Sequence, residues 1–460
     1  MFDKLETYLE ANKARFEEEL IDFLKIASIS TDSDFATEVR KGARWVHDQF
    51  TQLGLTSEIV ETEGHPIVYA ESPPVVGAPT VLVYGHYDVQ PTDPLEEWES
   101  PPFEPVRKNG NIVARGATDD KGQMLTHIKS TEAWIQTIGK LPIQLKFVIE
   151  GEEESGSENL RPFLEARKER LAADIAVISD SSQFSATQPA ITYGLRGLAY
   201  FELLLTGPNR DLHSGTFGGA ITNPINTLTK MLAALGDSAG RVQIPGFYDE
   251  VLPLSNKERR QFADLAFDEQ AFKKQLGVKG LSGEEGYSTL ERRWARPTFD
   301  INGIWGGYQG KGAKTVLPAK AGAKFSFRLV PNQQGDRIAQ RLEQFLKTLL
   351  PSGIQMELVN HGHGNSVVVP LENRFMAAAA DAIEQGFGKP PVYIREGGSI
   401  PVVSDLTEIL AIDTLLLGWG RDDDNTHSPN EKFNLADFHK GIKSSLYLWH
   451  EIAQKSAASI

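Results

Sequence analysis

Three short apolar runs do most to limit what this chain can fold into. Thr80 to Gly85 (TVLVYG), Ile143 to Ile149 (IQLKFVI) and Asp174 to Asp180 (DIAVISD) each have the length and near-continuous apolar character of a buried strand. Strands covered on both faces read this way because neither side meets water. Helix-forming stretches stand between them, one following Lys121 and one at RPFLEARKERL. The β-α-β alternation predicts an α/β fold, a mostly parallel sheet with helices on both faces. The first fifty residues read as helices, with Leu20, Phe23, Leu24 and Ile26, then Ala43, Val46, Phe50 and Leu53, at near-helical spacing.

The middle of the chain has a different grammar. LAYFELLLT (Leu198 to Thr206) reads as a strand, and NPINTLTKMLAAL as a helix capped by Asn223. PTFDINGIW and AKFSFRLV are two further strands, DRIAQRLEQFLKTLL a second helix and IQMELV a last strand. This β-α-β-β-α-β order is that of a ferredoxin-like α+β unit. A charged, helix-prone insert, about 236–296, interrupts it without a role legible in its residues. After about Pro370 the first style returns, with a helix over Asn373 to Gly386, the strand AIDTLLLG and a closing helix from Asn434. The expected organisation is one domain made of residues 1–190 and 370–460, with a second domain, 191–369, inserted.

Charge narrows the partners. The 460 residues carry a net charge of -15, which argues against nucleic acid and anionic membranes, whose phosphates call for clustered Lys and Arg. There are no cysteines, so disulfides are excluded and any metal site must use His, Asp and Glu. The N-terminal stretch is charged and amphipathic, unlike a signal peptide, and no apolar run reaches the ~18 residues that span a bilayer. A cytoplasmic location is the resulting expectation.

Polar residues gather where the apolar runs end. GHYDVQP follows the first run with His86 and Asp88, and ARGATDDKG places Asp119 and Asp120 before a helix. EGEEESGS sets Glu152, Glu153 and Glu154 after the second run, Asp180 closes the third, and His427 stands in NTHSPNE after AIDTLLLG. Each piece alone is ordinary: an HxD in a loop, an acidic helix start, a helix cap. Their joint position is not, because ligands of open α/β sheets bind beyond the carboxyl ends of the strands. Several carboxylates crowded there repel one another unless a cation neutralises them. Two imidazoles among them favour a borderline transition metal, zinc first, with manganese or cobalt as alternatives. Spacing alone reaches a multi-carboxylate metal site and no further. HExxH, GxSxG, GxxxxGK[ST] and GxGxxG are absent, GIWGGYQGKGAKT lacks phosphate-loop spacing, and Asp422 to Asp424 do not fit an EF-hand.

Taken together the motifs resemble the zinc aminoacylase, carboxypeptidase and dipeptidase family, most closely its cytosolic non-specific dipeptidase or carnosinase-like branch. GHYDVQP, RGATDDKG, EGEEESGS, LHSGTFGG, FRLVP, REGGSIP and THSPNEK occur in the family's order over nearly the whole chain. The resemblance implies a metallopeptidase with two divalent ions, most simply Zn2+, about 3.5–4 Å apart. Asp119 would bridge them, with His86 and Asp180 completing one ligand set and Glu154 and His427 the other. Glu153 would be the general base, Asp88 would orient His86, and the Asp119–Asp120 peptide would be cis. His213 would stabilise the oxyanion from the partner protomer of a homodimer formed through the inserted domain, a lid that closes over the substrate, with Asn223 assisting. Arg328, Ser399 and Glu396 would bind the ends of a small peptide substrate; His361 and His363 are further candidates without an assigned place. An N-acyl-amino-acid amidohydrolase or a metallocarboxypeptidase with the same site is the alternative within this chemistry. A metal-binding protein without catalysis is the alternative outside it, and Glu153 argues against that.

Overall fold

The computed structural model describes residues 1–398 and 400–457. The chain divides into two units: one of Met1–Tyr193, Val369–Ile394 and the residues from Asp405 onward, the other of Gly194–Val368 and Arg395–Ser404.

The first unit is built on a mixed sheet whose centre is parallel. Gln144–Glu150, Thr80–His86, Ile175–Ile178 and Thr414–Leu416 lie side by side in that order, each parallel to its neighbour. Val81, Leu82, Val83 and Tyr84 are all buried, as are Ile175, Ala176, Val177 and Ile178, which is why these strands read as unbroken apolar runs. Each of the valine, leucine and isoleucine side chains contributes roughly 1.5–3 kcal/mol on burial. Two strands beyond the sequence reading, Ile67–Glu71 and Thr56–Val60, extend the sheet antiparallel on one side, and Ala190–Leu195 meets Thr414–Leu416 on the other. The helix Lys121–Ile138, buried along its length from Lys121 to Trp134, packs between the sheet and the helices Phe2–Leu24 and Leu435–Ala457. The stretch read as one helix at RPFLEARKERL is two, Leu160–Ala166 and Lys168–Leu171, broken at Arg167.

In the second unit four strands form an antiparallel sheet in the order Thr298–Gly306, Lys320–Leu329, Gly197–Thr206, Gln355–Gly364. That is second, third, first, fourth along the chain, the arrangement of a split β-α-β unit. Alternate residues of the first strand, Ala199, Phe201, Leu203 and Leu205, enter a core completed by Leu228 and Met231 of the helix Pro224–Ala233 and by Ile338, Leu342 and Leu346 of Gly335–Leu349. The spacing of two along the strand and four along the helix is what puts these groups on one face. The insert contributes three short helices, Asn256–Asp264, Glu269–Gln275 and Thr289–Ala295, each started by a side-chain cap from Ser255, Asp268 or Ser288.

Candidate metal centre

The parallel strands deliver their last residues to one place. His86 ends its strand, Glu153 and Glu154 lie in the turn after Gln144–Glu150, and Asp180 follows Ile175–Ile178 by two residues. Asp119 sits in the turn before the helix Lys121–Ile138, and the Asp119–Asp120 peptide is cis. His427 lies in the loop beyond the strand Thr414–Leu416 and adopts φ 59, a left-handed backbone uncommon outside glycine.

Two groups of donor atoms result, and they share a residue. Ligand atoms of His86, Asp119 and Asp180 lie within 4.8 Å of one another, and so do those of Asp119, Glu154 and His427. Asp119 divides its carboxylate between them: Oδ1 is 3.1 Å from His86 Nε2 and Oδ2 is 2.9 Å from His427 Nε2. His427 Nε2 is also 3.3 Å from Glu154 Oε2. Donors held on one ion by bonds of about 2.0–2.2 Å stand roughly 3–3.5 Å apart, so these spacings suit a shared cation. His86 Nε2 is buried without a hydrogen-bond partner among the described residues, since it faces Asp119 out of hydrogen-bond alignment. An orphaned buried nitrogen beside a carboxylate oxygen is what a divalent metal would satisfy. The residues therefore fit a divalent ion bound through nitrogen and oxygen.

Electrostatics point the same way. Burial pushes the Glu153 carboxyl up to about 8, with Glu154, Asp119 and Asp88 adding to the rise against the pull of His86. Burial, then Asp119 and Asp120, lift Asp180 well above the usual carboxylate range, and burial and Asp119 raise Glu154. Burial opposes ionisation of Asp119 too, but the close imidazoles of His427 and His86 win and hold it well below the ordinary value. His427 is driven up to about 11 by Asp119 and then Glu154. Protons take the place of cations in such a cluster, and a metal would release them.

Asp88 organises the neighbourhood. Its carboxylate accepts from Ser30 Oγ (2.6 Å), Glu153 N (3.3 Å) and Glu154 N (3.0 Å) and stands 3.4 Å from His86 Nδ1, whose hydrogen-bond partner is the Asp88 main-chain carbonyl at 3.2 Å, so one residue orients both the imidazole and the turn carrying both glutamates. Asp120 offers its helix no side-chain cap; its Oδ2 accepts from His86 N at 3.3 Å. Glu152 has structural partners, taking His65 N at 2.8 Å and Asn159 Nδ2 at 2.9 Å. Asp424 is buried and accepts from Thr118 Oγ1 at 3.1 Å.

One residue of THSPNEK carries no signal of its role in the sequence. The buried Glu431 carboxylate accepts from Thr118 N (3.0 Å) and Asp119 N (3.1 Å) with one oxygen, and from Arg115 Nη1 (2.9 Å) and Gly116 N (3.0 Å) with the other. It ties the loop of His427 to the turn of Asp119. Nothing in a lone glutamate between Asn430 and Lys432 announces this.

The remaining sequence candidates lie in the second unit. His213 closes the short strand Leu212–His213, and its Nδ1 accepts from Gly215 N at 3.0 Å. With Nδ1 accepting, a neutral ring carries its proton on Nε2, the donor form. Asn223 Oδ1 caps the helix Pro224–Ala233, taking Ile225 N at 2.8 Å. Arg328 is half-buried in the strand Lys320–Leu329, and Glu396 ends Val392–Glu396. His361 Nε2 pairs with Glu202 Oε2 at 3.0 Å, and His363 Nδ1 lies 3.8 Å from Asp336 Oδ1, so both have local partners. Ser399 lies outside the described residues.

Imidazoles and carboxylates gathered beyond the carboxyl ends of parallel strands, together with the family match, make this a metal-dependent hydrolase acting on peptide bonds. The chain belongs to peptidase family M20/M25/M40, whose model matches residues 82–451. It is 34% identical to the Cys-Gly metallodipeptidase dug1 of Schizosaccharomyces pombe over 99% of both chains. Among solved structures it resembles human carnosine dipeptidase 1, with a TM-score of 0.87 and 31% identity over 98% of each chain. It also resembles an M20 metallo-carboxypeptidase of Sulfolobus solfataricus, with a TM-score of 0.87 and 33% identity over 95% of this chain and 99% of that one. In the described residues no helix is long and apolar enough to cross a membrane.

Proposed function

We propose that this chain is a cytoplasmic, homodimeric dipeptidase that works with two divalent cations, zinc by preference. The observation that carries the reading is the division of Asp119 between His86 and His427, one carboxylate oxygen to each. His86 and Asp180 would hold one ion and Glu154 and His427 the other, with Asp119 common to both. The first unit is then the catalytic domain, and the inserted one a lid and dimerisation domain.

The bound ions supply Lewis acidity, polarising the scissile carbonyl and acidifying water. Glu153, in the turn beside Glu154 and held by Asp88, takes the proton of the attacking water and returns it to the leaving amine. Asp88 keeps His86 and the Glu153 turn in register. His213, through Nε2–H, is the donor for the oxyanion, reaching the partner protomer's site as the motif LHSGTFGG suggests. Arg328 pairs with the substrate carboxylate with Ser399 assisting, Asn223 assists His213, and Glu396 meets the amino end. Dipeptide chemistry is favoured over acylase chemistry because the relatives named above act on Cys-Gly and on carnosine.

The deciding assay offers Cys-Gly, β-Ala-His, their C-amides, a tripeptide and N-acetyl amino acids to enzyme reloaded with zinc, manganese or cobalt. Free dipeptides should be cleaved and their amides refused, and Glu153→Gln should lose at least about 100-fold in kcat. Better turnover of the tripeptide would make it a carboxypeptidase, and of acetyl amino acids an acylase. Full activity of Glu153→Gln would remove the base. Mixing His213→Ala with Glu153→Ala chains should restore activity at one site of each mixed dimer if His213 acts in trans.

A further inference from the structure

The insert has no part in the metal centre, yet it holds one turn of the second unit at three points. Arg395 forms an ion pair with Glu258 of the insert helix Asn256–Asp264, and both side chains are largely shielded, at 11% and 17% exposure. Arg196 spreads its guanidinium between the turn and the insert: Nε donates to Gly397 O at 3.2 Å and Nη1 to Arg296 O at 3.1 Å. At Gly397 an added Cβ would stand 2.7 Å from Arg293 O and 2.8 Å from Arg196 Nη2, so the turn presses against the backbone of the helix Thr289–Ala295.

The insert is itself built to stay rigid at these points. Glu284 is buried and takes Arg296 through Nε (2.6 Å) and Nη2 (2.9 Å), with Arg241 on the same carboxylate at 2.6 Å. Ser288 and Glu291 form a capping box that starts Thr289–Ala295, and Arg259 of the neighbouring helix binds the Glu291 carboxylate at 2.6 Å. The Arg296–Glu284 pair is shielded on both sides, and such charge-assisted bonds hold geometry better than exposed ones, while Arg241 and Arg259 add to it from the surface.

What lies between the clamped residues gives the brace its meaning. Glu396 stands between Arg395 and Gly397, and Ser399 follows two residues on. We propose that the charged insert is a brace that fixes the Arg395–Gly398 segment, and with it Glu396, for recognition of the peptide substrate, with Arg196 and Glu258 as its positioning residues. This rests on the dipeptidase reading for its consequence, while the brace itself is a property of the turn. A fixed turn presents its polar groups already ordered, so the loss of the brace falls on substrate binding and leaves the chemical step alone.

The test uses the full-length, metal-loaded protein with Glu258→Gln, Arg196→Lys and the exchanged pair Glu258→Arg with Arg395→Glu. Hydrogen exchange of the amides in 395–404 should accelerate at least tenfold in the two single variants, with the metal-binding turns unchanged. KM for Cys-Gly should rise at least fivefold, with kcat within twofold and metal content constant, and the exchanged pair should recover part of both effects. Glu258→Gln is nearly isosteric and keeps the question open to an answer even if Arg196→Lys folds poorly. Exchange rates equal to wild type in Glu258→Gln would overturn the brace, as would a fall in kcat at unchanged KM. If wild type cleaves no dipeptide with any metal, the dipeptidase reading fails, and hydrogen exchange alone still decides the brace.

Discussion

Asp119 and Glu431 are joined through the backbone: the amide of the shared aspartate donates to Glu431 Oε1 over 3.1 Å. The same carboxylate collects the amides of Gly116 and Thr118 and the guanidinium of Arg115. The side chain of Asp119 thus has its root fixed from beneath while its two oxygens face two imidazoles.

Removal of Glu431 should therefore be felt in metal affinity as well as in stability. Glu431→Ala leaves Arg115 buried without its carboxylate, a loss of about 3–5 kcal/mol. It also frees the Asp119 turn, and groups that orient ligands typically matter 10–100-fold in metal affinity. Thermal unfolding and competition with a chromophoric chelator measure the two effects. An unchanged zinc affinity would show that the turn keeps its shape unaided.

The cluster's protons give the metal a pH dependence of defined sign. Glu153 rises in the fold from an ordinary 4.5 to about 8, chiefly by burial, so its contribution to stability is present below 4.5 and lost as pH climbs through 8. His427, raised to about 11, must also lose a proton to become a ligand. The metal-free protein should weaken as pH rises across that window, and the rise in Tm on adding zinc should be greater at pH 8 than at pH 6. A zinc effect that shrinks with rising pH would oppose this.

His127 predicts the opposite trend at a separate place. Its ring is buried, bonded to Ser179 Oγ at 2.8 Å and Ser445 Oγ at 3.1 Å, and burial lowers its pKa from 6.5 to about 3. The unfolded chain then binds the extra proton, so this group's stabilisation is intact above 6.5 and declines as pH falls toward 3, by up to about 1.4 kcal/mol per unit. The stability difference between wild type and His127→Gln should narrow on acidification from pH 7 to 4.5. A constant difference would mean that the ring does not titrate on unfolding.

Gly418 tests the strand-end support of Asp180. An added Cβ would lie 2.2 Å from the carbonyl carbon and oxygen of Ser181, backbone that cannot turn aside. Gly418→Ala should cost about 1–3 kcal/mol through overpacking. It should also lower zinc affinity, because Ser181 adjoins Asp180. Wild-type affinity in a folded Gly418→Ala protein would separate the two.

The parallel core was legible because burial on both faces leaves no polar position in a strand; Val81 to Tyr84 and Ile175 to Ile178 carry that signature. Thr56–Val60 was not, since it lies at the sheet edge and its TSEIV mixes exposed and half-buried residues. Ala190–Leu195 is buried throughout, but its Thr192 and Gly194 break the apolar run. The break at Arg167 lacks any Gly or Pro to signal it. At the site, metal-ligand types at strand ends and in the loops beyond made a multi-carboxylate centre legible, and the family resemblance singled out His86, Asp119, Glu154, Asp180 and His427 within it. Glu431 could not, because its partners come from residues 115–119, remote in the sequence. The bracing of Gly397 by Arg196 is equally a matter of folded distance.

The most direct measurement is anomalous diffraction at the zinc edge from crystals of the zinc-loaded protein. Two peaks about 3.5–4 Å apart are expected, one beside His86 and Asp180, the other beside Glu154 and His427, with Asp119 reaching both. A single peak, or peaks away from Asp119, would contradict the shared-carboxylate centre on which the account stands.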